Sequence, residues 1–207
     1  MKKNYLLAIE NGDVNALFNL GLLYAEQQKF DLAEKYYILA IEHGVLEAIF
    51  KLGRLYDEQN NFILAEKYYL LAIDHGDPKA MNNLGILYKE QQKFDLAEKY
   101  FILAMENGDT TVTLNLGRLY KDQRKYDLAK KYYLLAIEYD YLEAMNNLGL
   151  LYAEQQKFDL AEKYYLLAIE YDVLEATFNL GVLYKKQQKY SLAAKYSLMA
   201  EKYGFKL

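Results

Sequence analysis

The chain has 207 residues, a net charge of −4 at neutral pH and no cysteine. Its 25 basic residues are outnumbered by 29 acidic ones, so we expect no nucleic-acid partner, because such a partner requires a basic surface. The lack of cysteine excludes disulfides, thiolate metal sites and cysteine nucleophiles. No apolar run reaches the roughly 18 residues of a membrane span. These two observations favour a cytoplasmic protein without membrane contact.

A 32-residue pattern recurs six times after a shorter N-terminal segment. Counting positions 1 to 32 in each repeat gives the ranges 16–47, 48–79, 80–111, 112–143, 144–175 and 176–207. Position 5 is leucine, position 6 glycine and position 9 tyrosine in every repeat, as in Leu20, Gly21 and Tyr24 of the first. Residues 1–15 align with the second half of a repeat and predict one further helix.

Each repeat predicts two helices joined by a short polar turn. Apolar residues at positions 1, 5, 8 and 9 form one stripe of a first helix, and those at positions 17, 18, 21, 22, 24 and 25 form one of a second helix. With the N-terminal segment, the pattern predicts an all-α fold of about 13 helices. These repeats are predicted to form one continuous array.

Several polar residues and glycines predict where the helices begin and end. Linker glycines such as Gly44 are expected to end the second helices in a left-handed conformation. Asp31 with Glu34 predicts a capping box at the start of a second helix. Asp140 and Asp172 replace the linker glycine in two repeats, and we expect each to cap the helix that follows.

The glycine at position 6 lies inside a first helix, where it costs about 1 kcal/mol relative to alanine. Six such glycines predict the close approach of a neighbouring helix, with the position-9 tyrosine and the position-15 aromatic residue covering the gap. The 23 tyrosines and 9 phenylalanines lie mostly at repeated core positions. We therefore interpret them as packing residues rather than as a platform for stacking bases.

The chain resembles the tetratricopeptide repeat family in the spacing of Leu20-Gly21-x-x-Tyr24, Ala33, Tyr37 and Ala40. The period of 32 residues is shorter than usual in that family, and the linker Gly44-x-x-x-Ala48 is similar to that of the related Sel-one-like repeats. The resemblance covers the whole chain. It implies a right-handed α-solenoid of helix-turn-helix repeats, with the first helices lining a concave groove that binds a peptide.

One face of the first helices stays outside the predicted core, at positions 3, 4, 7, 10 and 11. The predicted groove residues on this face are Asn19, Lys51, Arg54, Asn82, Asn83, Asn115, Arg118, Asn146, Asn147 and Asn179. An asparagine amide both donates and accepts hydrogen bonds, so it can pair with the backbone of an extended peptide. The basic residues among them are expected to hold an acidic side chain or a terminal carboxylate.

Two other interpretations of this face stay open. Arg54 with Glu58 and Arg118 with Asp122 have the i,i+4 spacing of ion pairs that merely solvate a helix. Duplication of near-identical repeats would also copy asparagine without any selection for binding.

The leading hypothesis is a non-enzymatic scaffold or adaptor that binds a protein or peptide segment. The alternative is a structural, self-associating array without a specific peptide ligand, and we expect any homo-oligomer to form through the N-terminal helix or the groove. No catalytic residue and no cofactor are predicted. No metal site is predicted either, because His43 and His75 lie a whole repeat apart.

Overall fold

The computed structural model describes residues 2–205 of the chain. Within this range it contains thirteen α-helices and no β-strand, which confirms the predicted all-α fold. The helices are α1 Lys2–Glu10, α2 Asn15–Glu26, α3 Phe30–Glu42, α4 Glu47–Glu58, α5 Phe62–Asp74, α6 Pro78–Glu90, α7 Phe94–Glu106, α8 Val112–Asp122, α9 Tyr126–Glu138, α10 Glu143–Glu154, α11 Phe158–Glu170, α12 Glu175–Lys186 and α13 Tyr190–Lys202. None of these helices is both long enough and apolar enough to cross a bilayer.

The predicted repeat boundaries stay a prediction. Met1 of the N-terminal half-repeat and Lys206 and Leu207 of the last repeat lie outside the described residues. The chain divides into two compact units, Met1–Asp109 and Thr110–Leu207, called here the N-terminal unit and the C-terminal unit.

Within each unit, every helix packs against the next helix in the chain. First helices of consecutive repeats also touch, α4 with α6 in the N-terminal unit, and α8 with α10 and α10 with α12 in the C-terminal unit. The position-5 leucines are fully buried, namely Leu20, Leu52, Leu84, Leu116, Leu148 and Leu180. A helix pair of this size buries its apolar stripe only against its neighbours, so the stacking of repeats forms the core of each unit.

In the first five repeats, the glycine at position 6 makes room for the aromatic residue at position 22 of the second helix. A Cβ atom added to Gly21 would lie 2.6 Å from Cδ1 of Tyr37, far inside van der Waals contact. Close approach of the second helix is therefore confirmed, but the predicted covering residues at positions 9 and 15 are wrong. The position-9 tyrosine stacks instead on position 21, as Tyr24 does on Tyr36 with ring centroids 5.5 Å apart.

Left-handed residues end the second helices. The predicted glycine caps are confirmed by positive φ angles at Gly12, Gly44, Gly76, Gly108 and Gly204. Asp140 and Asp172 take the same conformation, with φ angles of 63° and 60°. The helices that follow have Leu142 and Leu174 as N-caps without a side-chain hydrogen bond, so the predicted capping role of the two aspartates is wrong.

A left-handed residue at position 13 also closes the turn inside each repeat, although no glycine marks it. These residues are Gln28, Asn60, Gln92, Arg124, Gln156 and Gln188. In the first repeat, the Lys29 N–H donates to the Tyr24 carbonyl at 2.9 Å, and α3 begins at Phe30. Asp31 therefore lies in the first turn rather than at the N-cap, and the predicted capping box is wrong, although a carboxylate there still interacts favourably with the helix dipole.

Candidate functional site

In each unit, the candidate site is the surface formed by positions 3, 4, 7, 10 and 11 of its first helices, called here the first-helix face. In the N-terminal unit it belongs to α2, α4 and α6. Asn19, Lys51, Asn82 and Asn83 are half-buried there, whereas Arg54 is exposed. Two pockets open on this face, and both are lined by Arg54 and Glu58.

The first pocket has a volume of about 240 Å³ and is lined by Leu22, Ala25, Glu26, Tyr37, Lys51, Arg54, Leu55 and Glu58. It therefore combines two cations, two carboxylates and an apolar wall. Burial raises the pKa of Tyr37 to about 12, with the negative charge of Glu58 adding to the effect and Arg54 opposing it. The hydroxyl of Tyr37 stays protonated at neutral pH and offers this pocket a neutral hydrogen-bonding group.

The ion pair between Arg54 and Glu58 joins the two pockets. The Arg54 Nη2 atom lies 2.9 Å from Glu58 Oε1, and the two side chains are 47% and 52% exposed. Exposed pairs at this spacing contribute only about 0.3 to 0.5 kcal/mol. The pair predicted by the solvation interpretation is therefore present, and it opens at little cost if a ligand carboxylate competes for Arg54.

The second pocket has a volume of about 370 Å³ and is lined by Arg54, Asp57, Glu58, Asn60, Tyr69, Asn83, Ile86 and Glu90. The Tyr69 hydroxyl donates to Asp57 Oδ2 at 3.0 Å, and the Asn83 side chain hydrogen-bonds to the same hydroxyl. Burial raises the pKa of the Asp57 carboxyl, while the bond from Tyr69 opposes this shift. One of the predicted groove asparagines thus supports a buried tyrosine as well as lining a pocket.

In the C-terminal unit, the first-helix face belongs to α8, α10 and α12. Asn115, Asn147 and Asn179 are half-buried there, whereas Asn146 is buried, with only 3% exposed. The Asn179 Nδ2 atom donates to Asn146 Oδ1 at 2.9 Å and so joins α12 to α10. The Asn147 Nδ2 atom is buried and has no hydrogen-bond partner among the described residues. Asn146 and Asn179 therefore bind each other, whereas the side-chain N–H group of Asn147 remains available as a hydrogen-bond donor.

Charged residues flank these amides. Arg118 is exposed, and its charge acts on the hydroxyl of Tyr133, whose pKa burial raises and Arg118 lowers in part. Lys121 Nζ lies 3.3 Å from Glu154 Oε1, which links α8 to α10. No group of three His, Cys, Asp or Glu side chains within residues 2–205 is arranged to hold a metal ion.

The position-22 tyrosines are functional candidates that the sequence analysis missed. Tyr37 and Tyr69 reach the first-helix face from the second helices and line its pockets. The signal was the glycine sixteen residues earlier in each repeat, which lets the ring cross the first helix at the level of its backbone. A buried tyrosine next to such a glycine places its hydroxyl on the far side of that helix.

The repeats match models of a known protein family. Three family models, each described as tetratricopeptide repeat, match residues 114–172, residues 14–42 and 46–74, and residues 79–106. No curated protein sequence matches the chain significantly.

Several solved structures are similar to this one. PilF of Pseudomonas aeruginosa is 21% identical, with a TM-score of 0.72 and coverage of 93% of this chain and 92% of its own. A Sel1 repeat protein from Oxalobacter formigenes is 23% identical, with a TM-score of 0.67 and coverage of 91% and 85%. YrrB, described as a tetratricopeptide repeat protein with an unusual peptide-binding site, is 21% identical, with a TM-score of 0.63 and coverage of 82% and 93%.

Likeness at this level of identity concerns the fold, and it confirms the predicted solenoid class of helix-turn-helix repeats. The family models match segments in both units. The chain belongs to the tetratricopeptide repeat family.

Proposed function

We propose that the chain is a non-enzymatic scaffold or adaptor that binds an extended segment of a partner protein along the first-helix face. Tetratricopeptide repeats generally bind proteins or peptides, and YrrB is described as carrying a peptide-binding site. The observation that carries the proposal is the presence of two pockets on the N-terminal unit that share Arg54 and Glu58.

The two pockets suit side chains of an extended peptide. Pockets that receive alternate side chains give specificity to such a segment, while polar groups beside them bind its backbone. Leu22 contributes an apolar wall to one pocket and Ile86 to the other. The half-buried amides of Asn19 and Asn83 lie on the same face, where they can donate to and accept from the peptide backbone.

The charges of the first pocket favour an acidic residue in the peptide. Lys51 and Arg54 both line this pocket. Arg54 presents a planar group that binds a carboxylate through two hydrogen bonds. A ligand carboxylate can replace Glu58 as the partner of Arg54 at a small cost in free energy, because the ion pair between Arg54 and Glu58 is exposed.

A peptide array tests this proposal. The wild-type protein is compared with the double variant Lys51→Ala/Arg54→Ala and with the control Lys67→Ala/Lys99→Ala, which removes two exposed lysines from second helices. We expect the double variant to lose the acidic peptides that the wild type binds, and the control to retain them. The double variant Asn115→Ala/Asn147→Ala examines the amides of the C-terminal unit in the same way.

Two results would count against the first-helix face as the binding surface. One is the recovery of the same peptides by the wild type and by both first-helix variants. The other is an equal loss in the lysine control, because this would indicate a general attraction between charges rather than a defined pocket.

Self-association is a second candidate function, and exposed leucines on α1 favour it. Leu7 is 57% exposed and Leu6 is 37% exposed. Light scattering at several protein concentrations, with Leu7→Glu as the comparison, tests this interface. A strict monomer at every concentration would rule it out.

A further inference from the structure

A glutamate at position 19 of one repeat binds the tyrosine at position 9 of the next repeat within both units. The pairs are Tyr56 with Glu34, Tyr88 with Glu66, and Tyr184 with Glu162. In the last two pairs, the tyrosine hydroxyl donates to Oε1 of the glutamate at 3.0 Å. The position-19 carboxylate therefore links a second helix to the following first helix.

A lysine at position 14 accompanies this contact. Lys93 Nζ lies 5.5 Å from the ring centroid of Tyr88, and Lys189 Nζ lies 5.5 Å from that of Tyr184. Lys189 Nζ also lies 3.7 Å from Glu162 Oε2. The glutamate thus attracts the lysine to a position above the tyrosine ring, where the ring itself attracts a cation.

The fourth repeat reverses the charge at position 19, where it carries Lys130. The corresponding tyrosine of the next repeat, Tyr152, is buried, with 6% exposed. No carboxylate of residues 2–205 accepts a hydrogen bond from its hydroxyl. Lys157, at position 14, donates instead to Gln155 Oε1 at 2.6 Å. The Tyr152 hydroxyl therefore lacks the glutamate acceptor that Tyr88 and Tyr184 have. Lys157 likewise lacks the glutamate that Lys189 approaches.

The same combination of residues occurs in the N-terminal unit. Lys2 holds position 19 ahead of Tyr24, and its Nζ lies 5.6 Å from the centroid of that ring. Lys29, at position 14, then donates to Gln27 Oε1 at 2.9 Å, as Lys157 does in the fifth repeat. Two like charges repel, so a lysine at position 19 displaces the position-14 lysine from the tyrosine.

Lys130 also lines a shallow surface pocket on α9. Its other lining residues are Asp127, Lys131, Leu134, Leu135 and Glu138. Lys130 is exposed and forms no ion pair within residues 2–205. The neighbouring Lys131 lies over Tyr132, with its Nζ 5.5 Å from the ring centroid. In this pocket, Lys130 and Lys131 can pair with the carboxylate of a ligand. The adjacent leucines can contact an apolar residue next to that carboxylate.

We propose that Lys130 and Tyr152 form a binding site for an acidic side chain of a partner protein, whose carboxylate takes the place that Glu66 and Glu162 hold in other repeats. The carboxylate accepts from the Tyr152 hydroxyl and pairs with Lys130, and both are charge-assisted hydrogen bonds. A leucine-sized residue beside it packs on Leu134 and Leu135. This site is separate from the first-helix face and does not rest on the function proposed for that face.

The test uses an end-capped fluorescent peptide of alternating glutamate and leucine, with a glutamine-leucine peptide as its uncharged counterpart. All protein variants carry Lys51→Ala/Arg54→Ala, so that the first-helix face does not contribute. Lys130→Glu supplies an internal carboxylate that occupies the site, and Tyr152→Phe removes the hydroxyl donor. Lys99→Glu makes the same change of charge at an exposed position of another second helix.

We expect the glutamate peptide to bind the Lys51→Ala/Arg54→Ala protein, and the glutamine peptide to bind it much more weakly. Lys130→Glu should weaken binding by about tenfold or more and Tyr152→Phe by a smaller factor, as expected for charge-assisted hydrogen bonds. Lys99→Glu should leave the affinity unchanged. Lys130→Glu should also raise the melting temperature, because the Glu–Tyr bond of the other repeats can then form.

Three results would each overturn the proposal: no binding of the glutamate peptide, equal binding of both peptides, or equal losses for Lys130→Glu and Lys99→Glu. The last result would show a general charge effect. Circular dichroism of each variant establishes that a loss of binding does not reflect unfolding. The peptide-array results for the first-helix variants bear only on the function proposed for that face and do not test the site at Lys130 and Tyr152.

Discussion

The backbone of Gly117 lies directly against the ring of Tyr133, so that a Cβ atom added to the glycine would stand 2.4 Å from both Cδ1 and Cε1. The ring is fully buried and cannot move aside into solvent. In the last repeat, the residue facing the glycine is a serine. A Cβ atom added to Gly181 would lie 3.3 Å from the backbone nitrogen of Ser197 and 3.4 Å from its Oγ atom.

This difference predicts unequal effects on stability for two equivalent substitutions. Gly117→Ala gains about 1 kcal/mol of helix propensity but must displace a packed ring, and overpacking costs about 1 to 3 kcal/mol. We expect a net loss of up to about 2 kcal/mol in the free energy of unfolding for Gly117→Ala, and no loss for Gly181→Ala. Urea unfolding followed by circular dichroism measures both. Equal losses at the two glycines would contradict the role assigned to the Tyr133 ring.

The fold was predictable from the sequence because local and repeated signals agree in every repeat. Leucine at position 5 and alanine at position 18 recur at helical spacing, and glycine marks the left-handed ends of most second helices. The turn at position 13 was not predictable in this way. Gln28 and Arg124 adopt a left-handed backbone there without a residue type that favours it, because helix packing on both sides fixes the chain path.

The candidate site was predictable only as a face. Helical periodicity places Asn146 and Asn147 near one side of α10, but it does not reveal that Asn146 is buried and paired with Asn179. That pairing depends on the approach of two helices whose residues are 33 positions apart. Likewise, the hydroxyl of Tyr69 reaches Asp57 only because its ring crosses Gly53, a contact between two helices that periodicity along one helix cannot show.

The hydroxyl of Tyr69 should stabilise the N-terminal unit through its polar partners. Phe101 naturally fills the equivalent position of the third repeat, so Tyr69→Phe preserves the ring packing and removes only the hydrogen bonds to Asp57 and Asn83. We expect the free energy of unfolding to fall by about 1 kcal/mol. Tyr37→Phe serves as the matched control for urea unfolding and should cost less. Losses of the same size in both variants would show that the bond to Asp57 contributes no stability.

Asp57 should make stability depend on pH in the acidic range. Burial raises the pKa of its carboxyl in the folded protein, and the negative charge of Glu58 adds to this shift, whereas Tyr69 and Arg54 oppose it. The folded protein therefore binds this proton more readily than the unfolded chain does. The stability that this bound proton contributes to the folded state is fully present below the ordinary carboxyl pKa. It is lost as pH rises through the folded-state pKa.

Asp57→Asn removes this titration and keeps an oxygen that accepts the Tyr69 hydrogen bond. We expect the free energy of unfolding of the variant, relative to the wild type, to increase between about pH 4 and pH 7. Urea unfolding at a series of pH values measures this difference, with the exposed Asp31→Asn as the control. A difference that stays constant over this range would contradict the raised pKa.

Asp140 should be less favourable than glycine at its position. Its φ angle of 63° lies in the left-handed region, and its backbone N–H donates to the Ile137 carbonyl at 3.0 Å whatever side chain it carries. Asp140→Gly should raise the free energy of unfolding by about 0.5 to 1 kcal/mol, because glycine takes this conformation without steric cost. The reverse change, Gly108→Asp, should lower it by a similar amount. Urea unfolding of both variants provides the measurement, and a loss of stability in Asp140→Gly would mean that the carboxylate supports the start of α10 after all.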